Sequence, residues 1–134
     1  DIKKSYRDPR MLAALADALY AEMPKQATCV AASGYGGIPL ASVISARYNL
    51  PLALVRDNIR DHGTEAPIDG YVPTVGDTIV IIDDVFTTGA SIRSMADMLI
   101  EKGATVLSAY VVLKRGAHPL PFPLVFLFEE KDLV

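Results

Sequence analysis

Cysteine appears once, at position 29, and tryptophan not at all. A lone thiol cannot close an internal disulfide, so the fold has to rest on its apolar core. The neighbours of Cys29, from Thr28 to Ala32, read as an apolar strand. That setting makes it a buried small hydrophobe rather than a nucleophile and suits a reducing cytoplasm. Positive charge is in short supply too: 13 Lys and Arg stand against 16 Asp and Glu, for a net charge of −3 and a pI near 5.3. Non-specific nucleic-acid binding needs a basic face that displaces phosphate counterions, and this balance argues against one. No apolar run approaches the roughly 18 residues of a membrane span, and no charged-then-apolar leader is read ahead of the first helix. A cytosolic chain is expected. Two common phosphate loops are missing as well. A Walker A loop needs GxxxxGK[ST], and no lysine lies between Thr78 and Glu101. The Gly34-Tyr35-Gly36-Gly37 cluster would put the third glycine of GxGxxG at Pro39, so the dinucleotide fingerprint fails. Internal repeats, low-complexity tracts and linkers are absent.

The chain is rich in apolar residues, 51% of 134. That is enough for a single domain over 1–134 that buries roughly two-thirds of its unfolded surface. Asp8-Pro9 is an N-cap followed by proline at the first helical position, and Met11, Leu12, Leu15, Leu19 and Met23 recur at helical spacing until Pro24. A strand over 28–32 follows, then a glycine loop over 33–37, then a helix from about Ile38 to Tyr48 with Asn49 as C-cap. Leu52 to Val55 predicts a short second strand. Residues 57–76 form a long polar excursion of the kind that is functional or mobile inside a compact domain. A strand over 78–82, a helix over 91–102 closed by Gly103, and strands near 105–113 and 124–128 complete the pattern. Strands alternating with helices imply an α/β fold, with a mostly parallel central sheet flanked by helices on both faces.

The chemistry concentrates in Thr78 to Ile92, TIVIIDDVFTTGASI. An apolar strand with no breaker suits burial on both faces, so the acids Asp83 and Asp84 fall at its carboxyl end, where open α/β sheets bind ligands. Thr87, Thr88, Gly89, Ala90 and Ser91 then offer hydroxyls and backbone N–H groups at a helix N-terminus, where the dipole favours an anion. A phosphate fits there. A second constellation, VRDNIRDHG, places Arg56, Arg60 and His62 at the mouth of the polar excursion with no helix or strand period. A cationic loop of that kind can close over a pyrophosphate and neutralise a leaving group.

Taken together, these segments resemble the type I phosphoribosyltransferases, whose motif for phosphoribosyl pyrophosphate (PRPP) sets two acids before a TTG-type loop. The resemblance narrows to the orotate phosphoribosyltransferase family. GYGGIPLAS is similar to its pyrophosphate-loop segment (Ser33, Gly34, Tyr35, Gly36 and Gly37), VRDNIRDHGT to its catalytic loop, and DIKKSYRDPRMLAALADAL to an early family segment. Residues 1 to 113 are covered almost throughout. The family's fold is Rossmann-like, as the element pattern is.

The resemblance implies transfer of the phosphoribosyl group from PRPP to orotate, with Mg2+ carried on PRPP and no metal held directly by the protein. Asp83 and Asp84 then bind the ribose hydroxyls, residues 87–91 the 5′-phosphate, and Arg56, Arg60 and His62 the pyrophosphate. Arg115 is implied as a contact to the base, and a homodimer in which the loop reaches the neighbouring site is implied as well. Two departures stand out: Asp57 replaces a loop lysine, which weakens pyrophosphate stabilisation, and Gly36 replaces a lysine found in some branches. The family's N-terminal hood over the base is missing before Asp1, so an upstream segment is expected to be absent. Two alternatives follow, another nucleobase as acceptor or a PRPP-binding regulator with little turnover.

Overall fold

The computed structural model describes residues 1–56 and 67–133. Its strands are β1 (Cys29–Ala32), β2 (Leu52–Val55), β3 (Ile68–Gly70), β4 (Thr78–Phe86), β5 (Thr105–Lys114) and β6 (Leu124–Glu129). They form one sheet in the order β3-β2-β1-β4-β5-β6, parallel except for β3, which runs antiparallel to β2. Four helices accompany them: α1 (Ile2–Ser5), α2 (Pro9–Ala21), α3 (Gly34–Tyr48) and α4 (Ala90–Glu101), with a short 3-10 turn over Glu130–Leu133.

Alternation along the central strands sorts the core into two layers. Cys29 and Ala31 of β1, with Ile79 and Ile81 of β4, face Ile92, Met95, Ala96 and Leu99 of α4. Val30, Ala32, Val80 and Ile82 point the other way, against Leu19 of α2 and Leu40, Ala41 and Ile44 of α3. Both faces are therefore covered, as the unbroken apolar run of β4 requires. The connections diverge at the middle of the sheet. β1 leads through α3 to β2 on one side and β4 leads through α4 to β5 on the other, which makes the β1/β4 boundary a topological switch point.

Helix ends follow local chemistry. The Asp8 carboxylate accepts from the Arg10 N–H at 2.9 Å ahead of Pro9, and Asn49 takes the left-handed conformation (φ 57) that ends α3. Gly103 (φ 89) closes α4.

Three expectations need correction, and one element was not foreseen. The glycine stretch 33–37 is not a loop: Ser33 is the N-cap and Gly34 to Gly37 form the first turn of α3, with Pro39 inside the helix. The motif strand does not stop at residue 82. It runs to Phe86 because β5 keeps pairing beyond the acids, Asp83 opposite Val111 and Phe86 opposite Lys114. The polar excursion returns as β3, since Ile68 is buried against β2 while its neighbours face outward. Last, α1 precedes Asp8 without an apolar period to announce it, and it buries none of its residues.

Candidate active site

The turn after β1 and the acids of β4 meet at the switch point. A cleft of about 550 Å³ is lined there by Ser33, Gly34, Tyr35 and Gly36, by Asp83 and Asp84, by Arg56 and Lys3, and by Ser91, Ser94, Met95 and Met98 of α4. A second hollow of about 200 Å³ adjoins it, lined by Asp83, Val85, Phe86 and every residue from Thr87 to Ile92. Asp83 and Ser91 border both, so the two spaces lie side by side.

The smaller hollow is shaped by Gly89. Its φ of 82 turns the chain sharply into α4, a conformation that costs an L-residue roughly 1–2 kcal/mol. A Cβ there would also lie 2.7 Å from the Phe86 ring and 2.9 Å from an Arg93 guanidinium nitrogen. The turn leaves Thr87, Thr88, Ala90 and Ser91 exposed around the first N–H groups of α4, and the Ala90 N–H already meets Thr88 Oγ1 at 3.3 Å. First-turn amides lack intrahelical acceptors and the helix dipole is positive at this end, so the hollow suits a monoester phosphate.

The larger cleft is acidic on its floor. Asp83 is only 8% exposed, and its Oδ1 accepts the Asp84 N–H at 2.9 Å, which fixes its carboxylate against the strand. Asp84 lies under the α3 turn so closely that a Cβ on Gly36 would come within 2.3 Å of its carboxylate. Glycine at 36 is thus a requirement of the fit. Tyr6 donates its hydroxyl proton to the Gly36 carbonyl at 2.6 Å, and burial, then the charges of Asp84 and Asp83, push that phenol well above its ordinary range. It stays a neutral donor.

Cations stand on the rim. Lys3 Nζ lies 3.7 Å from Asp84 Oδ2, and an Arg56 guanidinium nitrogen lies 2.9 Å from Asp69 on β3. Lys3, Ser94 and Met98 line the cleft yet were not among the residues singled out from sequence. Lys3 carried a faint signal, its place in the segment ahead of Asp8, whereas Ser94 and Met98 read as ordinary helix residues.

Arg115 is not brought to either space. Its Nε pairs with Glu130 at 3.0 Å and its N–H holds the Phe86 carbonyl at 2.7 Å, so it braces the end of β4 from behind. Asp57, Arg60 and His62 lie outside the described residues. Cys29 is fully buried, and burial followed by the charge of Asp77 pushes its thiol up to about 12, which keeps it an inert core residue.

A mostly parallel α/β sheet with paired carboxylates beside an open helix N-terminus at its switch point is the architecture of an anion-binding α/β domain. Residues 4–129 match the phosphoribosyl transferase domain, and the chain belongs to that family. It is 38% identical over 115 residues to the orotate phosphoribosyltransferase of Methanopyrus kandleri, covering 86% of this chain and 61% of that one. Against the orotate phosphoribosyltransferase of Pyrococcus horikoshii it is 35% identical over 118 residues, covering 86% and 63%. The chain therefore spans just over three-fifths of the length of these curated relatives. The crystal structure of orotate phosphoribosyltransferase from Aeropyrum pernix superposes with a TM-score of 0.87 at 27% identity, over 99% of this chain and 79% of that one.

Proposed function

We propose that this chain transfers the phosphoribosyl group of PRPP to orotate, giving orotidine 5′-monophosphate and pyrophosphate. The observation that carries the reading is that the two neighbouring hollows share Asp83 and Ser91. One accepts a phosphate at a helix N-terminus, and the other offers carboxylates where a ribose joined to it would lie. The orotate phosphoribosyltransferases it is similar to support the choice of acceptor.

In this reading the sugar passes through an oxocarbenium-like state as the bond to pyrophosphate breaks and the bond to the base nitrogen forms. Asp83 and Asp84 bind the ribose hydroxyls and set negative charge against the cationic sugar, while the 87–91 turn holds the 5′-phosphate in place. Positioning and electrostatics supply the rate. Arg56 at the cleft, with Arg60 and His62 of the loop, neutralises the departing pyrophosphate.

Among the described residues no group of three or more His, Cys, Asp or Glu side chains gathers to hold a metal. Asp83 and Asp84 are the hard oxygen donors of the cleft that would be available to a Mg2+ ion arriving with PRPP. When bound, the ion offsets charge on the leaving group. None of the described helices is long and apolar enough to cross a membrane, and the cytoplasmic placement belongs to this proposal through the family resemblance. The family resemblance supports a homodimer, which sedimentation would test.

Incubation with PRPP, Mg2+ and orotate should consume the ultraviolet absorbance of orotate and release pyrophosphate in equal amounts. Binding of PRPP without product from any base would refute transfer. Because Arg115 is engaged by Glu130 rather than lining the cleft, a panel of other nucleobases belongs in the same assay. Preference for one of them would move the acceptor while leaving the PRPP chemistry intact.

A further inference from the structure

We propose that Lys3 is a pyrophosphate-binding cation of this cleft, delivered over the α3 turn by α1. The inference rests on the reading of the cleft as a PRPP site and names a group that binds its leaving end. Helix α1 packs lightly: Ile2 is half-buried against the core layer of α2 and α3, and none of its residues is fully buried. Polar contacts add to that packing. Tyr6 just beyond it donates to the Gly36 carbonyl at 2.6 Å, and Asp1 caps its start by accepting the Lys3 N–H at 2.9 Å.

These contacts set the Lys3 ammonium on the cleft lining, 3.7 Å from Asp84 Oδ2 and 3.7 Å from Asp1 Oδ1. Both separations exceed the roughly 2.7–2.9 Å of a charge-assisted hydrogen bond, so the carboxylates attract the ammonium without tying up its donors. Half of the side chain is exposed (51%), which leaves it able to swing. A pyrophosphate brings several negative charges against the single one of Asp84 and out-competes it for Lys3. Asp84 is then released toward the ribose. Gly36, which replaces a lysine found in some branches, supplies no cation of its own. Arg56, the other described cation on the lining, is held to Asp69 at 2.9 Å.

Calorimetric titration with inorganic pyrophosphate and Mg2+ tests this apart from catalysis and from the identity of the base. Lys3→Gln should weaken pyrophosphate binding at least about tenfold, the loss of one charge-assisted contact. Lys3→Arg should bind within a few-fold of wild type, and neither change should move the thermal midpoint, since the Lys3 side chain is half exposed and takes no part in the core. Wild-type affinity in Lys3→Gln would overturn the role of Lys3 while pyrophosphate binding by the parent upheld the PRPP reading. Equal losses in both variants would make the effect one of shape and overturn it too. A parent that bound neither pyrophosphate nor PRPP would remove both conclusions together.

Discussion

Gly36 shows how one missing atom group positions a reactive one. With no side chain, the first turn of α3 can lie directly on the Asp84 carboxylate, and the Tyr6 hydroxyl can reach the carbonyl from the far side. Gly36→Ala puts a methyl group 2.3 Å from that carboxylate. Asp84 is the group that gives way, because the strand beneath it is pinned to β5 through Asp83 and Val85 on either side. The variant should fold with near-normal stability and lose roughly a hundredfold in kcat, comparable to removing one preorganised electrostatic contact. Asp84→Asn should lose at least as much with an unchanged far-ultraviolet circular dichroism spectrum. Wild-type kinetics in Asp84→Asn would end the assignment of this residue to the ribose.

Elements place these residues, and here sequence and structure can be compared feature by feature. The acid pair, the TTG turn and α4 were legible because each rests on local chemistry: an apolar run for a buried strand, positive φ for Gly89, a helix stripe for Ile92, Met95 and Leu99. The extent of β4 was not legible. Its last four residues, Asp83 to Phe86, are extended because β5 pairs with them, a tertiary cause invisible in their own sequence. The α3 turn was hidden for the opposite reason, since three glycines and a proline read as a loop until the close approach to Asp84 explains them. The partner of Arg115 was not legible either, because position after a strand does not reveal that Glu130 lies beside it. The element most sensitive to local geometry is the start of α4. Gly89→Ala must adopt φ 82 and meets the Phe86 ring at 2.7 Å. A stability loss of about 1–3 kcal/mol is expected in urea unfolding. The KM for PRPP should rise as well, because the phosphate amides are re-aimed.

Across the whole molecule the two ends of the sheet divide the work. The carboxyl ends of β1 and β4 carry the cleft, while the amino ends are locked by Asp77, which is 7% exposed. Its Oδ1 accepts from Thr28 Oγ1 at 2.7 Å, and its Oδ2 accepts from the Tyr71 hydroxyl at 2.7 Å and the Thr74 N–H at 2.9 Å. Desolvation raises the carboxyl, but these hydrogen bonds outweigh it and hold the group below its ordinary value of 3.8. A group whose folded-state pKa is depressed stabilises the fold above its unfolded pKa and loses that contribution as pH falls through the folded one. The contribution of Asp77 is therefore complete at neutral pH and fades below about pH 4. Asp77→Asn keeps the shape but replaces an anion that accepts from three donors with an amide that has one acceptor oxygen. It should cost about 2–3 kcal/mol at pH 7, and the gap to wild type should narrow steadily below pH 4. Urea unfolding across that range measures the gap. Since the network lies at the opposite end of β4 from Asp83, the variant should keep its kcat at 25 °C while it remains folded. A gap independent of pH would show that the native carboxyl is not held ionised by these donors, and a fall in kcat would show that the two ends of the sheet are coupled.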